Sequence, residues 1–388
     1  MIIGVTIPVL YIILSSYIIW KSTDSFETAA DYLGRNMSLG VKGATINAVA
    51  SSMPEFLTTM FFLFYIKEEG TFSDNFSGGL GVTAGSAVFN ILIIPFAILF
   101  FGSLKMKSVS FPVNRPAIGR DGLFLLFANV ILILIIRQQE LNIIDGIVLV
   151  FLYFLYIIFL RKGFGGRKDS AYEEKEYLIP YTRLKFRHFL KINLNQIILN
   201  GRKLNTGLAW ISLLISTIVM SLGTWLLVEG TELLGEDVYS LYGMDGLRGL
   251  DIPIIFLSVI FAAAATSIPD TMISIRDARK SNHIDSISNA LGSNIFDISF
   301  ALGLPLLIYT LMNQPVVMSQ EVRVWSLSIW IVMFLINLIV FPLFYFSRFI
   351  NRRKGMVLII LYILFIIFIV EENTRLSVVS HWVEQFLE

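Results

Sequence analysis

Ser51-Ser52-Met53-Pro54-Glu55 and Thr266-Ser267-Ile268-Pro269-Asp270 share one arrangement: two hydroxyl residues, an apolar residue, a proline and an acid, inside a long apolar run. An ionised carboxylate at bilayer depth costs roughly 2.5–3.5 kcal/mol or more on insertion scales, so it is rarely kept without a partner. No Lys or Arg stands in these runs at the depth of the acids. The expected partner is therefore a cation. A proline inside a helix also removes one backbone hydrogen bond and frees the carbonyl four residues back. Those carbonyls belong to Ala50 and Ala265, so the same oxygen-rich break is expected twice.

A second motif follows each acid: Gly85-Ser86-Ala87-Val88-Phe89-Asn90 and Gly292-Ser293-Asn294-Ile295-Phe296-Asp297. Ser86 and Asn90, like Ser293 and Asp297, are four residues apart and share one helix face. Four elements thus present oxygen donors: Ser51, Ser52 and Glu55; Ser86 and Asn90; Thr266, Ser267 and Asp270; Ser293 and Asp297. Carboxylates, hydroxyls and carbonyls without sulfur or imidazole suit hard cations such as Ca²⁺, Mg²⁺ or Na⁺. The chain has no cysteine, which excludes disulfides and thiolate chemistry. Its three histidines, His188, His283 and His381, lie outside the apolar runs, so no histidine proton relay is expected there.

Long helices must position these residues. The chain has 388 residues, 55% of them hydrophobic and 15% charged, with a mean hydropathy of +0.73. That composition, with runs long enough to cross a bilayer as helices, predicts an all-α integral membrane protein. Ten spans are expected, near 2–20, 39–66, 78–101, 122–137, 142–160, 207–228, 252–275, 286–311, 324–347 and 355–371. With ten spans, 25 of the 30 Lys and Arg residues fall on one side. The positive-inside rule then puts that side in the cytoplasm and both termini outside. The first span has no basic leader or cleavage site, so it reads as a retained span. Arg120-Asp121 reads as a helix start, with the acid at the positive end of the dipole.

The basic connection 162–205 divides the chain into residues 1–161, with a motif region at 43–92, and 206–388, with a motif region at 262–305. Five spans per half make the halves enter the membrane from opposite sides, as two inverted-topology repeats, a plan common in secondary transporters. Within the connection, Arg183–Lys203 with Phe186, Phe189, Leu190, Ile197 and Ile198 is either an amphipathic helix on the anionic inner leaflet or a solvated linker.

The segments from Gly43-Ala44-Thr45 to Phe89-Asn90-Ile91-Leu92 and from Ala264-Ala265-Thr266 to Asn294-Ile295-Phe296-Asp297 resemble the sodium/calcium exchanger superfamily, most closely its potassium-dependent branch. The resemblance implies a secondary antiporter working by alternating access, in which the first and sixth spans slide against a fixed bundle. It gives Glu55 and Asp270 the divalent ion and lets sodium re-use them. It gives the sodium sites to Ser51, Ser52, Thr266 and Ser267, and the flanking positions to Ser86, Asn90, Ser293 and Asp297. It adds the backbone carbonyls of Ala48 and Ala263 as ligands. The family usually has glycine where this chain has Ala50 and Ala265, and two added methyls beside the ligands leave Ca²⁺ and Mg²⁺ both open, since Mg²⁺ needs shorter contacts. Asp297 stands where the potassium-dependent branch is associated with potassium.

The expected activity is exchange of Na⁺ for a divalent cation, Ca²⁺ first. The alternatives are a Mg²⁺ exchanger on the same fold and a proton-coupled divalent antiporter. No enzyme is expected: the chain carries no Gly-x-Gly-Asp protease motif, nucleophile elbow, zinc histidine cluster or phosphate loop. No cofactor, nucleic acid or obligatory protein partner is implied; the partners are the bilayer and the transported ions. The short central connection suits a prokaryotic inner membrane.

Overall fold

The structure, a computed structural model, describes residues 2–35, 37, 45–46, 48–65, 72–102, 110–112, 115–164, 180–181, 183, 186–279, 283–374 and 378–387. Among these, nine helices are long and apolar enough to cross a membrane: Ile2–Leu33, Asn75–Phe100, Arg115–Ile136, Ile143–Leu160, Thr206–Gly235, Ile254–Met272, Asn289–Met312, Gln320–Tyr345 and Arg352–Asn373. The expected second span is the exception. It is broken into Ala48–Ser51 and Met53–Tyr65, with a bend at Ser52. Pro54 has no N–H to give Ala50, which is the physical reason for a break there. Residues 39–44, 47 and 66 of that expected span lie outside the described residues. The second proline behaves differently: Pro269 sits inside an uninterrupted helix, Ala263–Arg279. The irregularity of that span lies upstream, in a π-helical turn at Ser258–Ala262.

Two other expectations change. The helix expected to start at Arg120 starts at Arg115, and Asp121 lies in its body, where Arg120 holds it through Nε–Oδ1 and Nη2–Oδ2 contacts of 2.6 and 2.9 Å. The central connection forms two short helices, Phe186–Leu190 and Leu194–Ile198, rather than one amphipathic helix. A left-handed Ile192, φ 46°, turns the chain between them.

The all-α expectation holds apart from three two-stranded antiparallel ribbons. β1 (Ser110–Pro112) pairs with β6 (Phe349–Asn351), and β2 (Glu140–Leu141) pairs with β5 (Val316–Val317). β3 (Tyr239–Leu241) and β4 (Met244–Leu247) form a hairpin around Tyr242 and Gly243, both at positive φ, the geometry that follows strand twist in a two-residue turn.

Burial is greatest in the central span Asn75–Phe100, with 83% of its apolar window buried, and low in several outer helices: 28% in Ile2–Leu33 and Arg352–Asn373, 39% in Thr206–Gly235 and Ile143–Leu160. Of these, Ile2–Leu33 and Thr206–Gly235 form a peripheral pair. The main core runs from Leu63 and Phe76 through Leu132, Tyr156, Phe296, Trp330 and Phe365. The Ile2–Leu33 and Thr206–Gly235 helices lie antiparallel against each other: Gly223 meets Ile18 and Ile19, and Gly230 meets Pro8 and Tyr11. Outward side chains such as Ile13, Phe127, Phe151, Trp210, Leu214 and Ile367 are exposed, as a lipid-facing surface requires.

Candidate cation-binding site

Every candidate residue is buried. Ser51 is 3% exposed, Ala263 and Asp270 1%, and Ala48, Ser52, Glu55, Ser86, Asn90, Thr266, Ser267, Ser293 and Asp297 are fully enclosed. Glu55 stands in the first turn of Met53–Tyr65, and Asp270 follows Pro269 in Ala263–Arg279. Ser86 ends the Phe72–Val88 helix. Asn90 lies in a π-helical turn, Phe89–Ile93, and Asp297 opens another, Asp297–Ala301. The two halves therefore carry π turns at matched motif positions. Such single turns recur at functional sites because they re-aim side chains without ending the helix.

Ser86 is the hub. Its Oγ stands 3.0 Å from Glu55 Oε1 and 3.5 Å from Asp297 Oδ2, and it accepts from Ser267 Oγ at 3.1 Å. Ser51 Oγ meets Ser293 Oγ at 3.0 Å. Three of these contacts join one half of the chain to the other. Close backbone approach makes them possible: a Cβ at Gly85 would lie 2.1 Å from the Val259 carbonyl oxygen, and one at Gly81 2.5 Å from that of Ile255. Only glycine lets the Phe72–Val88 helix cross so near the Ile254–Ala262 segment.

Several oxygens are left over. Ser52 Oγ, Glu55 Oε2, Asn90 Oδ1, both carboxylate oxygens of Asp270, and Asp297 Oδ1 are buried with no partner at good hydrogen-bond geometry, although the Ser51, Ser52 and Thr266 hydroxyls come close enough to Asp270, Asp297 and Glu55 for weaker polar contact. Buried polar atoms are nearly always paired, so each exception needs a reason. Six such oxygens sit on five side chains, three of them acids that interact electrostatically. Ser51 lies near Asp270, Ser52 near Asp297 and Thr266 near Glu55, so hydroxyl oxygens flank each acid. Among the described residues no three His, Cys, Asp or Glu side chains converge into a compact cage. The donor set is one of acids interleaved with hydroxyls and amides.

Ala48 O accepts from Ser52 N at 2.9 Å and from Ser51 Oγ at 3.2 Å, and Ala263 O accepts from Thr266 Oγ1 at 3.1 Å. Ala50 packs in a cluster with Phe26 and Ala30 of the first helix and Met220 of Thr206–Gly235. Ala265 belongs to a cluster holding Ile12, Ile19 and Leu227 of the same pair. Sequence reasoning missed Asn294. Its Nδ2 donates to Ala87 O at 2.9 Å, and its Oδ1 accepts from Asn90 Nδ2 at 3.1 Å. The available signal was its place in the Gly-Ser-x-x-Phe motif, where the first half has Ala87.

The sequence profile of the family described as sodium/calcium exchanger protein matches residues 7–162 and 208–371. The chain belongs to the sodium/calcium exchanger family. It is therefore a multi-pass membrane protein of a transporter family rather than an enzyme. Among its relatives, the inner membrane protein YrbG of Escherichia coli (strain K12) is 23% identical over 318 residues, 81% of this chain and 84% of that protein. The membrane protein MJ0091 of Methanocaldococcus jannaschii is 23% identical over 354 residues, 91% of this chain and 94% of that protein. Human sodium/potassium/calcium exchanger 3 is 45% identical over 62 residues, only 16% of this chain and 10% of that protein. The fold is that of two solved exchangers. The sodium-calcium exchanger NCX_Mj superposes with a TM-score of 0.53 at 22% identity, covering 93% of this chain and 98% of that one. The H⁺/Ca²⁺ exchanger CAX superposes with a TM-score of 0.59 at 16% identity, covering 98% and 91%.

Proposed function

We propose that this member of the family is a secondary antiporter that exchanges Na⁺ for a divalent cation, Ca²⁺ first, by alternating access. The observation that carries the reading is the set of six buried oxygens without a well-formed hydrogen bond on Ser52, Glu55, Asn90, Asp270 and Asp297. All-oxygen donors select hard cations. Glu55 and Asp270 serve either the divalent ion or sodium but not both at once, and that competition couples the two fluxes. Ten spans in two inverted halves complete the reading, with the kinked segment Ala48–Tyr65 as the second span. Two strand pairs support it: β1–β6 joins the connections after the third and ninth spans, and β2–β5 those after the fourth and eighth. An inverted repeat exchanges these two pairs. The basic connections then lie in the cytoplasm of a prokaryotic cell and both termini outside.

The packing of Ala50 against the peripheral pair favours a repacked Ca²⁺ site over a cavity narrowed for Mg²⁺. Flux into proteoliposomes loaded with Na⁺ and diluted into Na⁺-free buffer tests the proposal, with Ca²⁺ and Mg²⁺ followed separately, with and without K⁺. Calcium entry that requires the internal sodium is the expected result. Entry driven only by a pH gradient assigns proton coupling instead, and magnesium entry without calcium assigns the Mg²⁺ reading.

A further inference from the structure

A separate polar cavity, lined by none of the candidate cation-binding residues, lies between the first helix and the two linker helices. We propose that it binds the phosphate of an anionic membrane lipid. The cavity has a volume of about 330 Å³, within the roughly 300–1,000 Å³ typical of ligand pockets. Lys21 reaches it from the first helix and Lys191 from the linker, and among the described residues Asp24 is the only acid lining it. The lining therefore carries one positive charge in excess, which a phosphodiester neutralises.

Polar donors and acceptors inside the cavity are unspent. Ser25 lines it, is 1% exposed, and its Oγ has no hydrogen-bond partner. That hydroxyl is a donor for a phosphate oxygen. Asn195 also lines it; its Nδ2 is used on Thr28 Oγ1 at 3.2 Å and Asp24 O at 3.4 Å, while its buried Oδ1 has no partner. A lone acceptor beside a phosphate site suits a headgroup that carries its own hydroxyl, such as the glycerol of phosphatidylglycerol. The Asn193 Oδ1 is already used, because it accepts from Gln196 N at 3.1 Å.

The cavity also lies at headgroup depth. The β3–β4 hairpin marks one end of the first helix, where Tyr239 donates to Gly4 O. Lys21 follows Gly4 by 17 residues, about 25 Å at 1.5 Å per residue, against a hydrocarbon core of about 30 Å. Trp20 and Tyr17 line the cavity there, and Lys21 Nζ stands 3.9 Å from the Trp20 ring centroid and 5.8 Å from that of Tyr17. Trp and Tyr gather at this level of a bilayer. Beside Lys191 the linker exposes Phe186, Phe189 and Leu190, side chains that can enter the acyl boundary while the lysine stays at the phosphates. A lipid held here would tie the linker to the first helix.

Native mass spectrometry of the full-length protein in detergent, titrated with phosphatidylglycerol, phosphatidylcholine or inorganic phosphate, tests the proposal. Phosphatidylglycerol should bind in preference to phosphatidylcholine. The double variant Lys21→Gln/Lys191→Gln should lose about tenfold or more of that affinity, given about 1 kcal/mol per basic residue at an anionic surface, and Ser25→Ala should weaken it further. Arg202→Gln, which removes a linker charge outside the cavity lining, should bind as the parent does. Equal phosphatidylglycerol binding by parent and double variant overturns the site. Equal loss in Arg202→Gln reduces it to general surface charge and overturns it too. Displacement of the lipid by millimolar inorganic phosphate would overturn the lipid as the source of the phosphate. Thermal melting of each variant in detergent separates lost binding from lost fold.

Discussion

In the proposed reading the acids hold the cation, while the alanines beside them pack against the first helix and Thr206–Gly235. Glu55 and Asp270 have carboxylate oxygens with no protein partner at good hydrogen-bond geometry, so their amides would keep the shape and remove the charge. Glu55→Gln or Asp270→Asn should therefore lower divalent flux by about 100-fold or more while leaving the folded protein intact, since even supporting residues of a metal site are worth 10–100-fold. Flux at the parental rate from either variant would remove that acid from the site. Ala50 and Ala265 are different. Their clusters include residues of the peripheral pair, so Ala50→Gly and Ala265→Gly open space there. The expected outcome of a paired Ca²⁺ and Mg²⁺ flux assay is a selectivity ratio changed by less than about threefold, under 1 kcal/mol, together with an altered turnover rate. A large swing toward one ion would return the methyls to the cavity.

Elements explain why some of this was legible in the sequence and some was not. The hydroxyl–proline–acid and Gly-Ser-x-x-Phe motifs were readable because the cost of desolvating polar and charged side chains limits which residues are kept at bilayer depth. The first helix was underestimated because it continues past Trp20 with Lys21, Asp24 and Glu27, where hydropathy ends but helical hydrogen bonding does not. The π turns at Phe89–Ile93 and Asp297–Ala301 have no composition signature, since they arise from tertiary packing against neighbouring helices. Nor did the sequence distinguish the kink at Ser52 from the straight passage of Pro269; the same proline motif gives both. The glycines carry the sharpest element-scale prediction. A side chain at Gly85 meets the Val259 carbonyl oxygen and the Ala263 methyl, neither of which is a flexible tip. Gly85→Val should cost about 1–3 kcal/mol by overpacking, read as a lower melting temperature in detergent. Gly243→Ala, at the open hairpin turn with nothing within 4 Å, should lose only what its positive φ demands, about 1 kcal/mol.

At the scale of the whole molecule, the decisive question is which ends of the helices share a side. The two inter-half strand pairs answer it geometrically: the connection carrying Ser110–Pro112 meets that carrying Phe349–Asn351, and the connection carrying Glu140–Leu141 meets that carrying Val316–Val317. With a kinked second span, the first pair and the basic central connection lie on one face of the membrane and the second pair on the other. If Ala48–Tyr65 instead entered and returned on the same face, every later connection would change sides relative to the N-terminus. The absence of cysteine makes this directly measurable, because any introduced thiol is the only one in the chain. Asn313→Cys, in the exposed bend before β5, and Arg353→Cys, exposed at the start of the Arg352–Asn373 helix, should label from opposite sides with a membrane-impermeant maleimide on intact cells and inverted vesicles. The positive-inside rule predicts Asn313→Cys labelled from outside and Arg353→Cys from within. Tyr242→Cys, at the hairpin that touches the start of the first helix through Tyr11, should label with Asn313→Cys, because both belong to connections that follow even-numbered spans. Labelling of Tyr242→Cys together with Arg353→Cys would mean that an odd number of the three spans between them fails to cross, and the five-span reading of the second half would fall.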